Sequence, residues 1–233
     1  MKVRIKFSRH GVMKFIGHLD IMRYFQKAIR RAELDIAYST GFSPHQIMSF
    51  AAPLGVGICS NGEYLDVEIT SNEGATDMIN RLNATMAHGI CVESVKALPE
   101  TVGNAMASVA AASYTITWKK EEDIPVNLSA QVEAFKKLPE VNVVKKTKKG
   151  NRDLNLQPYI YKMTTDGTSL SLFVDATSAN NVKPALLMEG FYEFIKLEYN
   201  FNLFQITRED TFTNIGTEAS PNYVPLDAVG EDF

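Results

Sequence analysis

Residues 2–7 read KVRIKF, and this stretch decides how the fold begins. Apolar Val3, Ile5 and Phe7 alternate with basic side chains, which is the period of a strand with one buried face. Further along, residues 22–32 place apolar side chains three or four positions apart, as on one side of an amphipathic helix. The chain therefore opens with a strand followed by a helix.

The same order of elements occurs twice along the chain. In the first half, strands are predicted at residues 46–50, 64–69 and 90–95, and a second helix at residues 74–87. From Ser113 the order starts again, with predicted strands at 114–118, 141–146 or 154–161, 169–175 and 203–208, and helices after Ser129 and at 182–197. We therefore expect an α+β protein built from tandem ferredoxin-like (βαββαβ) units with antiparallel sheets.

These elements divide the chain into four parts. They are a first ferredoxin-like unit at 1–98, a linker at 99–112, a second unit at 113–212 and a tail at 213–233. The linker is rich in small residues. The tail has no apolar period and carries four acids and no base, so we expect it to be acidic and mobile.

Composition is that of a water-soluble globular protein. The 233 residues are 45% hydrophobic and 22% charged. No apolar run approaches the roughly 18 residues of a membrane span, and the N-terminus lacks the apolar core of a signal peptide. We therefore expect a cytoplasmic protein with no membrane contact. Cys59 and Cys91 lack the spacing of a disulfide framework or metal site, and we expect both to be buried.

Charge is segregated along the chain although the net charge is only -3. Residues 1–32 contain nine Lys or Arg and one acid, and residues 136–152 contain seven Lys or Arg and one acid. Two such clusters favour an anionic partner such as RNA. The alternative is that each cluster is an ordinary solvent-exposed face of the protein. The expected nucleic-acid contacts are Arg9, Arg23, Lys27, Arg30, Arg31, Lys145, Lys146, Lys148, Lys149 and Arg152, with Ser39 and Phe42 in a polar loop.

His18 and His45 are the candidate catalytic residues, because a histidine beside basic residues can act as general acid or base on an RNA hydroxyl. A structural role for each is the alternative. No metal site is predicted, because the histidines show no metal-ligand spacing. No nucleotide-binding glycine motif is present either, so we expect no cofactor.

Several stretches resemble a family of uncharacterised bacterial proteins known as radical SAM-linked. They are RIKFSR at 4–9, FIGHLD at 15–20, AIRRA at 28–32, YSTGFSPH at 38–45 and EYLD at 63–66, with a thinner likeness at 146–150 and 157–160. The resemblance implies a functional association with a radical SAM protein, and the family has no assigned activity. The chain lacks the Cys-x-x-x-Cys-x-x-Cys motif that would make it the radical SAM catalyst itself.

A looser likeness, at the level of fold, is to the CRISPR repeat-processing endoribonucleases, some of which use a histidine near the first helix. Three hypotheses follow. The first is a non-catalytic RNA-binding accessory that presents RNA to a radical SAM partner. The second is a metal-independent endoribonuclease that uses His18 or His45. The third is a protein-only scaffold that docks the radical SAM enzyme through an exposed sheet edge.

Overall fold

A computed structural model describes residues 1–147 and 150–233, without the side chains of residues 145–147 and 152. The described residues form two compact units. Unit 1 contains residues 1–110 and 210–233, and unit 2 contains residues 111–209. The last segment of the chain therefore belongs to the first unit.

Unit 1 begins with the element order βαββαβ. Its strands are β1 (Lys2–Arg9), β2 (Met48–Phe50), β3 (Cys59–Glu68) and β4 (Ile90–Ala97), and its helices are α1 (His18–Arg31) and α2 (Ala75–Thr85). β1 pairs antiparallel with both β3 and β4, and β2 pairs antiparallel with β3. The strand order is therefore β4-β1-β3-β2.

The core of unit 1 lies between one sheet face and the helices. Val3, Ile5 and Phe7 are fully buried, and the ring centroid of Phe7 lies 4.6 Å from that of Phe25 on α1. Burial at this density makes a phenylalanine-to-alanine substitution cost about 3–5 kcal/mol of stability. The alternation in 2–7 and the helical period in 22–32 are thus both confirmed.

Unit 2 repeats this order of elements with one insertion. Its strands are β5 (Ala111–Trp118), β6 (Asn142–Thr147), β7 (Gly150–Asn155), β8 (Ile160–Thr165), β9 (Ser169–Asp175) and the first part of β10 (Phe204–Asn214), and its helices are α3 (Leu128–Lys136) and α4 (Pro184–Phe194). β9 pairs antiparallel with β5 and β8, whereas β6 and β7 form a separate two-stranded sheet. The two alternative strand positions predicted in 141–161 are therefore parts of an inserted hairpin and of the strand that follows it.

The end of the chain is ordered, which differs from the mobile tail expected at 213–233. β11 (Tyr223–Pro225) pairs with the end of β10, and Leu226 is fully buried. The Ala97 amide donates to the Glu231 carbonyl at 2.9 Å. This segment is held by one buried leucine and by separate backbone hydrogen bonds. Neither produces a periodic pattern of apolar residues, so the sequence gives no sign of the anchoring.

The α+β expectation is confirmed, since the described residues contain four α-helices and mostly antiparallel sheet. Among these residues, no helix is long and apolar enough to cross a membrane. Cys59 is buried as expected, but Cys91 is exposed. Cys91 lies between buried Ile90 and Val92 on β4, so alternation turns its side chain away from the core.

Candidate functional site

Helix α1 presents four basic side chains to solvent, which are Arg23, Lys27, Arg30 and Arg31. The first three are spaced four and three residues apart, so they lie on one side of the helix, opposite buried Phe25. We call these four residues the basic helix face. It is the part of the N-terminal basic cluster that forms a positive surface.

Among the described residues, two charges of the basic helix face, Lys27 and Arg30, have neither an ion pair nor a side-chain hydrogen bond. Arg23 Nη1 lies 3.4 Å from Asp20 Oδ1, but 67% of each side chain is exposed, and such a pair contributes little. Arg31 Nη2 donates to the Thr85 carbonyl at 3.2 Å. Within the part of the chain that the structure describes, no ion pair involves Lys27 or Arg30. These two cations are therefore available to an anionic ligand.

Arg81 on α2 shows the opposite situation. Its Nη1 pairs with Glu73 and with Asp77, the latter at 3.2 Å, and its Nε donates to the Ala32 carbonyl at 2.8 Å. The hydrogen bond that Arg81 donates to Asp77 raises the pKa of this guanidinium above its ordinary value. Arg81 therefore has a structural role in unit 1. Lys27 and Arg30 differ from it because no ion pair with an acidic side chain holds them among the described residues.

Arg9 is withdrawn from solvent, contrary to its expected role as an RNA contact. Its side chain is 1% exposed, and its Nε lies 2.7 Å from Glu63 Oε1. Its Nη1 donates to the Ile16 carbonyl at 2.9 Å. Glu63 on the neighbouring strand β3 supplies a buried counter-charge, so Arg9 cannot reach a phosphate.

The loop at 39–45 closes on itself through one serine and one histidine. Ser39 Oγ lies 2.8 Å from His45 Nδ1 and accepts a hydrogen bond from the His45 amide at 3.1 Å. Phe42 at the tip is fully exposed. The loop therefore displays an aromatic ring, while the expected contact Ser39 is engaged in holding the loop together.

His18 is half-buried, and its ring packs edge-on against Phe50 with centroids 5.4 Å apart. His45 is held by Ser39 instead, so the two candidate catalytic histidines have different surroundings. Packing against the core favours a structural role for His18 at the start of α1. The described residues contain no group of three or more His, Cys, Asp or Glu that could hold a metal ion.

Part of the second basic cluster lies on the paired strands β6 and β7 of unit 2, and Lys136 lies at the end of α3. The register pairs Lys145 with Arg152 and Lys146 with Asn151, but the side chains of Lys145, Lys146 and Arg152 lie outside the description. The expected contacts Lys148 and Lys149 lie outside the described residues altogether. Their part in nucleic-acid binding remains a prediction.

A second set of charged and polar groups lies on the sheet face of unit 1 that points away from the helices. Arg4 is fully buried there and forms two hydrogen bonds to Asp66, from Nε at 2.7 Å and from Nη2 at 3.0 Å. Its Nη1 donates to the Leu226 carbonyl at 2.8 Å. Lys6 Nζ lies 2.7 Å from Asp210 Oδ2. The charges of Arg4 and Lys6 are therefore neutralised by β3 and by the last segment of the chain.

Tyr64 joins two carboxylates of that last segment. Its hydroxyl lies 2.6 Å from Asp210 Oδ1 and 3.2 Å from Asp227 Oδ1. Burial, followed by the negative charge of Asp210, raises the pKa of Tyr64 well above its ordinary value, so the phenol remains a donor. Gly62 permits the close approach of this segment, because a Cβ there would lie 2.9 Å from the Asp210 Cα.

A pocket of about 520 Å³ opens beside these groups. Its lining is Lys6, Ser8, His10, Asn61, Glu93, Ser94 and Asp227. Ser8 Oγ donates to Glu93 Oε1 at 2.8 Å, and Ser94 Oγ donates to Asp227 Oδ2 at 2.8 Å. We call this the polar pocket.

Irregular strand pairing builds the polar pocket. Between β1 and β4 the register shifts after Lys6–Ser94, so that Phe7 faces Val92 and Glu93 is the extra residue. Glu93 and Ser94 are consecutive yet both line the pocket, which a regular strand forbids. The β1–β3 register also shifts, between Phe7 and Arg9. Bulges of this kind are common beside functional sites, where they redirect side chains.

The polar pocket cannot be located from the sequence pattern alone. A partial signal was present, since charged residues alternate with apolar ones in both β1 and β3, as at Asp66 and Glu68. Two strands with charged residues on one face can pair those charges across the sheet. Glu93, Ser94 and Asp227 carried no such signal, because the bulge and the folding-back of the last segment bring them there.

Comparison with known proteins adds one finding. Residues 2–184 match the model of a family described as "Uncharacterized protein conserved in bacteria (DUF2344)". No curated protein matches the chain.

Proposed function

We propose that this chain, which belongs to the DUF2344 family of conserved bacterial proteins, is a non-catalytic RNA-binding accessory that uses the basic helix face. The observation that carries this proposal is the exposure of Lys27 and Arg30 without an acidic partner among the described residues. Arginine and lysine side chains in this state bind phosphates and release condensed counterions, which is the main source of affinity for RNA.

The surroundings of the basic helix face moderate its charge. Exposed Glu33 and Asp35 follow α1 directly, and Asp20 lies in its first turn. The positive potential is therefore strongest in the middle turns of the helix. We expect moderate, strongly salt-dependent affinity rather than tight binding to any polyanion.

Exposed aromatic rings precede and follow this helix in the chain. Phe15 is 61% exposed, with Lys14 Nζ 5.3 Å from its ring centroid, and Phe42 is fully exposed in the loop that follows α1. Stacking of a base on such a ring contributes about 1–3 kcal/mol and requires an unpaired base. These rings favour single-stranded RNA over duplex RNA.

The wider proposal includes the features that the resemblance implies. The partner that receives the RNA is a radical SAM protein, and the complex acts in the cytoplasm. Each unit is proposed to be ferredoxin-like, which the order β4-β1-β3-β2 in unit 1 supports, since β1 lies between β4 and β3. The β6–β7 hairpin is proposed as a second RNA contact.

The test is binding of labelled single-stranded RNA at several salt concentrations, with a chelator present. The variant Lys27→Ala/Arg30→Ala should reduce the slope of log affinity against log salt by about 1.4, at about 0.7 per contact. Between 50 and 200 mM salt its affinity should therefore fall about sevenfold less than that of the unmodified protein. Lys119→Ala/Lys120→Ala removes the same charge from exposed positions of unit 2 and is the matched control.

Equal slopes for the Lys27/Arg30 variant and the unmodified protein would contradict the proposal. Cleavage of the RNA in chelator that is lost in His18→Ala would show an endoribonuclease instead.

A protein-docking role is the second candidate, because apolar side chains are exposed around the start of α1. Val12 is 73% exposed, and Phe15 and Leu19 are each 61% exposed. Exposed apolar residues of this size often mark a protein interface. If docking is the only role, Phe15→Ser/Leu19→Ser abolishes co-purification with the radical SAM protein, and the unmodified chain shows no RNA affinity at any salt.

A further inference from the structure

We propose that a pocket on unit 2 binds one nucleotide, with its base against an apolar floor and its phosphate beside a lysine at the edge. The pocket has a volume of about 210 Å³ and is lined by the end of α3, the turn before β8 and β8 itself. We call it the β8 pocket. The basic helix face lies in unit 1, so this inference does not depend on the function proposed for that face.

The floor of the β8 pocket is apolar. Phe135 on α3 and Met163 on β8 are each 1% exposed, and Ile160 in the same lining is half-buried. A mostly apolar lining with a few polar groups is typical of sites for small organic molecules. The volume is below the roughly 300–1,000 Å³ of pockets for drug-sized ligands. The floor therefore suits one ring system, with the rest of the ligand at the edge of the pocket.

Tyr161 supplies an aromatic ring that is held in a fixed orientation. Its hydroxyl donates to Oδ2 of buried Asp175 at 2.8 Å. Its ring centroid lies 5.7 Å from that of Phe173, yet 41% of Tyr161 is exposed. A ring that is already fixed loses little conformational entropy when a flat base stacks on it.

An irregularity in β8 brings Tyr161 and Lys162 into the same pocket. The β8–β9 register shifts between Ile160 and Lys162, so Tyr161 is the extra residue. Consecutive residues of a regular strand point to opposite faces of the sheet, whereas both of these side chains line the pocket. Bulges of this kind redirect side chains and are common beside functional sites.

Lys162 places an unpaired cation next to this ring. Its side chain is exposed, and no ion pair or side-chain hydrogen bond among the described residues involves it. Lys136, the other cation of the lining, lies 2.9 Å from Glu133, but both side chains are exposed and such a pair is weak. The described residues that line the pocket include no carboxylate. The lining therefore favours an anionic group such as phosphate.

Gln157 supplies a hydrogen-bond acceptor at the wall of the pocket. Its Nε2 donates to the Lys136 carbonyl at 3.0 Å, which orients the amide. Its Oε1 is buried and has no hydrogen-bond partner among the described residues. A buried acceptor without a donor costs free energy, and a ligand N–H group bound beside Gln157 recovers that cost.

A nucleotide has the three features that match this lining. Its base is a flat ring for the apolar floor and Tyr161, and its phosphate can pair with Lys162. Adenine, cytosine and guanine each carry an amino group that can donate to Gln157. A free nucleotide and one nucleotide of a single-stranded RNA share this chemistry.

The experiment is an NMR titration of the full chain with adenosine monophosphate, observed at the backbone amides of Tyr161, Lys162 and Met163. We expect saturable shifts, with about fivefold weaker binding in Lys162→Ala because one charge near the phosphate is lost. Ribose 5-phosphate, which has no base to stack, should bind at least about fivefold more weakly. Lys137→Ala removes an exposed charge outside the lining and is the matched control.

A second titration with a short oligoadenylate distinguishes the two sources of the nucleotide. Tighter binding of the oligoadenylate, with shifts at the same amides, supports a nucleotide within RNA, and tighter binding of adenosine monophosphate supports a free nucleotide. The variant Lys27→Ala/Arg30→Ala should bind adenosine monophosphate as the unmodified chain does. Failure of the function proposed for the basic helix face would therefore leave the titration with adenosine monophosphate unchanged.

Three results would overturn the proposal. They are absence of saturable shifts with adenosine monophosphate, equal affinity for adenosine monophosphate and ribose 5-phosphate, and equal affinity of Lys162→Ala and the unmodified chain. Lys162 is exposed and is not part of the core, so its replacement should preserve the fold, which the same spectra verify.

Discussion

Replacing Asp66 with alanine removes one half of a buried ion pair. Arg4 is 0% exposed and Asp66 is 4% exposed, and two hydrogen bonds join them. After the substitution the Arg4 guanidinium keeps only its bond to the Leu226 carbonyl. An unpaired charge in such a place costs about 3–5 kcal/mol. That is a large part of the 5–15 kcal/mol that typically holds a domain folded.

The assay is native-state hydrogen exchange at the amides of β1 and β3, because a chain of two units need not unfold in one step. Asp232→Ala is the control, since its carboxylate pairs with Lys96 but is 88% exposed, and we expect it to cost less than about 1 kcal/mol. The double variant Arg4→Met/Asp66→Leu removes both buried charges and leaves one carbonyl without its donor. It should cost about 1–3 kcal/mol.

The reasoning would be refuted if Asp66→Ala cost no more than Asp232→Ala. It would also be refuted if the double variant were less stable than Asp66→Ala alone.

Two further predictions concern groups that titrate. Burial, followed by the charge of Glu189, raises the pKa of Tyr199 to about 12. This tyrosine therefore stabilises unit 2 below its ordinary pKa of about 10, and that stability is lost as pH rises from about 10 to 12. Ultraviolet titration should show a phenolate that forms near pH 12 and is missing in Tyr199→Phe. Although Cys91 is largely exposed, partial desolvation, followed by the charge of Glu93, raises the pKa of its thiol. Alkylation of Cys91 at neutral pH should be slower than that of a free thiol and faster in Glu93→Gln, and an equal rate in both proteins would contradict this.

The secondary structure was largely predictable because periodicity is a local property. The alternation around Ile5 and the spacing around Phe25 each reflect which side chains face the core, and both are observed. The two strand positions left open near 141–161 could not be resolved. Both positions have the residue pattern of a strand. Only the pairing of Asn142–Thr147 with Gly150–Asn155 shows that the first position belongs to an inserted pair of strands and that the second ends in the sheet strand β8.

The candidate site was predictable only in part. The exposed face of α1 follows from helical spacing, and Lys27 and Arg30 lie where the sequence places them. Arg9 belongs to the same basic cluster in sequence, yet it is buried against Glu63. Nothing in the local pattern separates these residues, because whether a charge is free depends on which residues fold against it.

By itself, the sequence determined the α+β class, the helix with its basic stripe and the absence of a nucleotide-binding glycine motif. Only the tertiary structure decided which cations are neutralised and where the polar pocket lies. Arg4 meets a carboxylate 62 residues away, and Lys6 meets one 204 residues away. Short-range periodicity cannot encode such pairings. They arise when strands and the last segment of the chain are brought together around a core, and when a single extra residue in β4 changes the direction of Glu93.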